Sequence, residues 1–312
     1  MVDHAAWLNR LNADGVTLNI KQLVHYQSKT SLINLTPRKT IQSKLAGGYL
    51  AKTKGRGMEF DEARHYQPGD DIRAIDWRVT ARSGKTHTKL YREEKERPIF
   101  VLADLSANMH FGTQLLFKSV QTAHLASLVA WAARARGDRI GGFIFNQHRH
   151  IELKPFTRQK AVLGFLHGLM EVHDPSETGV GDFTFADACA RLRRLVHPGS
   201  LVFLLSDFNG LNDAAKQHIS RISRHSEVVA YSITDPFEHE LPHVNHSQQV
   251  DVTDGVSRQR IVLGDQSITK QYRNAHLAQF NRIKNTLQQC KTPLFPLSAS
   301  LPLEQQFMAG RK

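Results

Sequence analysis

The chain has 312 residues, enough for one large domain or two small ones with a full core. Lysine and arginine outnumber aspartate and glutamate by 41 to 29, giving a formal charge of +12 and a pI near 9.8, so the candidate partners are acidic: nucleic acid, an anionic membrane surface or an acidic protein. An ordinary 40% apolar content, two distant cysteines (Cys189 and Cys290), no basic-then-apolar leader and no run near the ~20 apolar residues of a membrane span argue against a disulfide scaffold, a Cys-x-x-Cys site and a spanning helix.

In the first fifty residues two short helices are predicted, over 18–26 and 44–52. Residues 85–98 are polar and charged, with 89–91 extended. Residues 99–103, Ile-Phe-Val-Leu-Ala, read as a buried strand: short, continuous and apolar, as in a parallel sheet covered on both faces. A helix over 113–136 follows, stopped by Gly137. Then come a strand over 139–145, an alternating strand over 148–153, and helices over 157–172 and 184–196. Residues 201–206 form a second buried strand, 212–225 a helix and 227–233 a third buried strand. Short strands over 250–252 and 260–263, a long helix over 268–289 and a last strand over 293–297 complete the order. Alternation of strand and helix from residue 99 onward predicts a doubly wound, mostly parallel α/β sheet. Ligands of such sheets bind beyond the carboxyl ends of the strands.

The densest segment is 55–82, GRGMEFDEARHYQPGDDIRAIDWRVTAR. Six carboxylates alternate with five arginines around a Pro68-Gly69 turn and one large aromatic, Trp77. A solvated charge run needs no tryptophan. Three readings are open. The segment is a salt-bridged buttress, for which the bidentate guanidinium is suited; or a surface for docking a partner; or a carboxylate metal centre, for which the interleaved arginines compete. The buttress is the one we expect, with Arg64, Asp70, Asp71, Arg73, Asp76 and Arg82 paired and Trp77 largely buried.

Gly55, Gly57, Phe60, Arg64, Tyr66, Pro68, Gly69, Asp70, Asp71, Arg73, Ile75, Asp76, Trp77, Thr80, Ala81 and Arg82 stand in this segment at fixed spacing. In this they resemble the signature of a bacterial family, domain of unknown function 58. From residue 98 to about 300 the chain is similar to von Willebrand factor A domains, so the division expected is 1–97 with the signature, 98–300 as the A-like domain and 301–312 as a tail.

The A-domain resemblance brings a candidate metal site. At the end of the first buried strand, Asp104, Ser106 and Asn108 occupy the Asp-x-Ser-x-Ser spacing of a metal-ion-dependent adhesion site, with asparagine in the third place. Thr184 in GDFTFADA and Asp207 in LLSDFNG match the two remaining ligands in the right order. Alternate oxygens aimed by a tight turn suit a hard cation, magnesium or manganese. The competing expectation is a metal-free site in which Asp104 hydrogen-bonds to Ser106, Thr184 and loop N–H groups.

What the resemblance implies about function is a non-catalytic adaptor or chaperone-like accessory protein. Its partner would be a MoxR-type AAA+ ATPase or the ATPase's client, beside membrane-associated von Willebrand factor A proteins. Many relatives carry transmembrane helices, whereas no run in this sequence is long and apolar enough for one, so the expected place is the cytoplasm, with any membrane role indirect, through partners at the inner membrane. The alternative is a metal-dependent hydrolase using Asp104 and Asp207, with Asp70, Asp71 and Asp76 as further candidates. A nucleic-acid binder rests on charge alone, because no recognised module and no interleaved aromatics accompany it. His239-Glu240-Leu241-Pro242-His243 has the zinc-protease spacing, but Pro242 breaks the helix that the pattern needs. His148, His150 and His246, and the cluster Arg191, Arg193 and Arg194, read as surface.

Overall fold

The computed structural model describes residues 4–36, 58–93, 96–176, 181–242, 244, 248–253 and 258–309. In chain order the elements are α1 His4–Leu11, α2 Ile20–His25 and a 3-10 turn Tyr26–Leu32; then β1 Met58–His65, α3 Trp77–Ser83 and β2 His87–Glu93. Next come β3 Pro98–Asp104, α4 Lys118–Arg136, β4 Arg139–Phe145, β5 His150–Phe156, α5 Gln159–Val172 and α6 Phe185–Leu195. The remainder is β6 Leu201–Ser206, α7 Asp213–Ser223, β7 Glu227–Thr234, the single turn α8 Pro236–His239, β8 Gln248–Thr253, β9 Arg258–Leu263, α9 Gln266–Gln289, β10 Leu294–Ser298 and α10 Leu303–Ala309.

Six strands form the main sheet in the order β10-β7-β6-β3-β4-β5, all neighbours parallel except β4 and β5, which run antiparallel. The expected doubly wound α/β class therefore holds. Successive side chains of a strand point to opposite faces. Accordingly Ile99, Val101 and Ala103 of β3 join a core with α4 and α5, while Phe100 and Leu102 join a second core with α6, α7 and α9. The continuous apolar runs are continuous because both faces are covered. The predicted strands over 250–252 and 260–263 lie within β8 and β9, a separate antiparallel pair. The predicted helix over 44–52 lies outside the described residues.

The chain divides into two compact units, Met1–Thr40 with Arg97–Lys312, and Ile41–Glu96. This redraws the expected division: the first forty residues and the C-terminal tail belong with the sheet. The reason is α4, whose residues from Lys118 to Ala133 are buried all round. Its polar groups need partners from outside the helix. Ser127 Oγ and Trp131 Nε1 both donate to the Leu23 carbonyl, at 2.6 and 3.1 Å, and Tyr26 Oη hydrogen-bonds His124 Nδ1 at 3.1 Å. From the other end of the chain, the Gln121 amide donates to the carbonyls of Ser298 and Leu301, and Leu303 of α10 enters the core. Helix α4 begins at Lys118, five residues later than predicted, because Thr113 is held elsewhere: its N–H and hydroxyl donate to the Asp235 carboxylate at 2.9 and 2.6 Å.

The second unit is a hairpin, β1 against β2 antiparallel with a bulge between Phe60 and Glu62. The connection carries a short 3-10 turn and α3, which Gly84 closes in the left-handed conformation (φ 69°). Gly suits that place because it lacks a Cβ.

Candidate functional site at the carboxyl edge of the sheet

Asp104 is the last residue of β3, Ser206 is the last of the adjacent strand β6, and Asp207 follows it directly. Asp104 Oδ2 accepts from Ser206 Oγ at 2.6 Å and Oδ1 from the Ser106 N–H at 3.0 Å. Burial, and then the charge of Asp207, push the Asp104 carboxyl up to about 6, against the lowering effect of its serine partners. Asp207 Oδ1 accepts from the Asn209 N–H at 2.9 Å, and Oδ2 from Asn209 Nδ2 at 2.8 Å. The same Oδ2 also accepts from Lys118 Nζ at 2.9 Å. Lys118 donates in addition to Glu238 Oε1 at 2.6 Å. Burial alone would lower this lysine, but Asp207 and Glu238 hold it above its ordinary value, so it is charged. Glu238 Oε2 accepts the Asp235 N–H at 2.9 Å and completes a capping box on α8.

The structure brings Asp104 and Asp207 together at the strand ends, with Ser106 bonding Asp104 through its backbone. Thr184 is differently engaged. It is the N-cap of α6, and its hydroxyl donates to Asp187 Oδ2 at 2.6 Å in a capping box. Asn108 is exposed in the 3-10 turn Ala107–Met109. A magnesium ion demands roughly six oxygens in octahedral array. Here the carboxylate oxygens accept from protein donors and the threonine serves its own helix. As arranged, the five residues do not fit a divalent metal. They come nearer to the metal-free arrangement, except that Thr184 bonds Asp187. Lys118 and Glu238 escaped the sequence reading. The available signal was a lysine opening a helix of small and apolar residues, at the end where the helix dipole disfavours a cation.

Elsewhere the zinc-protease spacing is broken as expected. Helix α8 is one turn that ends at His239, whose Nε2 lies 2.9 Å from Thr234 Oγ1; His243 lies outside the described residues. His150 departs from the surface expectation: its ring stacks between Phe143 and Phe183, with centroids at 5.3 and 4.9 Å. His246 lies outside the described residues, while His148 is exposed. Arg191 reaches Glu152 at 3.3 Å and lies over the Phe183 ring.

In the signature segment, Arg64 Nη2 donates to Asp70 Oδ1 at 2.7 Å, and the Gln67 N–H to Asp70 Oδ2 at 2.9 Å. The Gln67 bond foremost, with Arg64, holds the Asp70 carboxyl below its usual value. Asp71 accepts from the Arg73 N–H at 2.9 Å, and Asp76 caps α3 by accepting from Arg78 and Val79 at 3.1 and 3.2 Å. Arg73 and Arg82 are exposed, and among the described residues neither pairs with a carboxylate. Trp77 is 68% exposed and Ile72 67%. The expectation of a buried Trp77 in a web of ion pairs is therefore wrong. Most of these carboxylates serve neighbouring backbone N–H groups, and capping at Asp76 starts a helix that carries the indole outward.

Residues 62–282 match the family model described as protein of unknown function DUF58. Two uncharacterized proteins, Rv1480 of Mycobacterium tuberculosis and Mb1516 of Mycobacterium bovis, are each 28% identical over 265 residues, covering 85% of this chain and 82% of theirs. Among solved structures, the conserved hypothetical protein BatB from Bacteroides thetaiotaomicron aligns at TM-score 0.42 and 12% identity, over 69% of this chain and 98% of that one. The von Willebrand factor A domain of SpRpn10 aligns at TM-score 0.36 and 12% identity, over 69% and 95%. The strand order and the antiparallel edge strand describe the von Willebrand factor A type of sheet without help from these likenesses. With a family match that spans most of the chain and takes in both Trp77 and the strand-end carboxylates, the chain belongs to the DUF58 family.

Proposed function

We propose that this chain is a non-catalytic adaptor or chaperone-like accessory protein that engages other proteins, a MoxR-type AAA+ ATPase or its client foremost. The observation that carries the reading is the pair Trp77 and Ile72, exposed at 68% and 67% in a segment that also presents Arg73, Arg78 and Arg82. Tryptophan and arginine are enriched at the centres of protein interfaces, and a monomer gains nothing by holding an indole in water. The overall charge of +12 favours a partner with an acidic surface around an apolar pocket. No helix among the described residues is long and apolar enough to cross a membrane. Work in the cytoplasm, reaching the inner membrane through partners, is part of this proposal.

The test is co-purification from native lysate with parent and Trp77→Ala chains. An ATPase captured by the parent and lost with Trp77→Ala supports the reading; captured nucleic acid, or an ATPase held equally by both, overturns it. The purified chain is expected to hydrolyse neither ATP, peptide nor nucleic acid above background. A metal-dependent turnover that vanishes in Asp104→Ala would promote the hydrolase instead.

A further inference from the structure

We propose that the ε-ammonium of Lys118 is a built-in cation that engages Asp207, one of the two carboxylates of the adhesion-type set, so that the strand-end site of this chain works without metal. On local grounds lysine is a poor choice for this position. It is the first residue of α4, where unsatisfied N–H groups and the helix dipole make a cation unwelcome. Its side chain is 1% exposed, at the head of a helix buried all round. A charge so placed persists only with close opposite charges. Lys118 has two, Asp207 at 2.9 Å and Glu238 at 2.6 Å.

These contacts join three pieces of the fold: the end of β6, the start of α4 and the turn α8. A metal ion does the same work, drawing carboxylates from separate loops to one point. An ammonium does it with a single charge, fixed by a covalent stem and beyond the reach of a chelator. A divalent ion beside it would meet like charge at low dielectric. It would also have to compete for Asp207 Oδ2, which already accepts from both Lys118 and Asn209. Asp104 is served instead by two serine donors, Ser206 Oγ and the Ser106 N–H.

The experiment is a manganese titration of the full chain followed by electron paramagnetic resonance, with thermal melts in parallel. The parent is expected to hold no Mn2+ up to about 1 mM, the weak end of biological divalent sites, and EDTA should leave its melting temperature unchanged. Lys118→Met keeps the stem and removes the charge. It should lower the melting temperature by on the order of 10 °C, because the buried Asp207 and the half-buried Glu238 both lose their partner. Saturable Mn2+ binding by the parent that Asp104→Asn abolishes would overturn the proposal. So would a Lys118→Met chain that melts like the parent. If Lys118→Met does not fold, the parent's titration decides alone. Partner capture through Trp77 enters neither readout, so the two proposals fail separately.

Discussion

The two units of this chain use the same residue types to opposite ends. In the sheet unit, Trp131 is 1% exposed, its indole N–H donates to the Leu23 carbonyl, and it lies in a large apolar core. In the 41–96 unit, Trp77 opens a seven-residue helix and stands in water, and the buried residues described there are the polar Asp76 and Thr88. Charges divide likewise. Lys118, Asp207 and Glu238 compensate one another inside the sheet unit, whereas Asp70, Asp71 and Asp76 mostly serve nearby backbone N–H groups. The lesson is that a tryptophan among charges signals burial only where apolar neighbours exist to bury it. A hairpin shaped by caps and turns can display the residue instead.

Substitutions sharpen the contrast, and the largest effect belongs to the sheet unit. Trp131→Ala should destabilise by about 3–5 kcal/mol, the cost of deleting a buried large aromatic, read by chemical denaturation. Next comes acid. Burial, with smaller contributions from His25 and His173, holds His124 down at about 3; burial, and then His110, holds His173 at about 4. Their stability is complete above the unfolded value of 6.5 and lost as pH falls below it, because the unfolded chain takes up protons that the folded chain refuses. Asp104, raised to about 6, works the other way over part of this range. The net loss from pH 7 to pH 5 should be about 2–4 kcal/mol, and His124→Gln should flatten it. A slope unchanged in that variant would mean that His124 titrates normally.

Smaller effects belong to the 41–96 unit. Asp76→Ala removes an N-cap and should cost about 1 kcal/mol locally, visible as faster amide exchange at Arg78 and Val79. Smallest of all, Trp77→Ala should change stability by no more than about 0.5 kcal/mol while partner capture falls. A Trp77→Ala chain that melts as poorly as Trp131→Ala would erase the difference between the two units.

Much of the sheet was legible. Residues 99–103, 201–206 and 227–233 are continuous apolar runs, and a strand covered on both faces has no other composition available. Strand β5 was equally plain from its alternation, since it sits at the edge. The site was half legible. Spacing pointed to Asp104 and Asp207, which lie at neighbouring strand ends, but a lone lysine in a sequence reads as solvated until its buried partners are known. Thr184 followed a motif while its chemistry followed Asp187, three residues away, a capping box that the sequence itself spells out. Trp77 misled because composition records which residues are adjacent and says nothing of whether a local cap will turn one outward.

The carbonyl of Leu23, which accepts from both Ser127 and Trp131, bears on how this protein can be cut. The 41–96 unit is an insertion, with chain of the sheet unit on either side of it. Trimming the protein from its N-terminus to leave the sheet alone would therefore remove Leu23 and Tyr26 as well. Two donors of α4 would lose their acceptor, and one flank of the helix would be stripped of apolar cover and opened to water. An isolated sheet unit is best sought by excising the insertion and rejoining the chain. A shortened protein that begins at Pro98 is expected to aggregate.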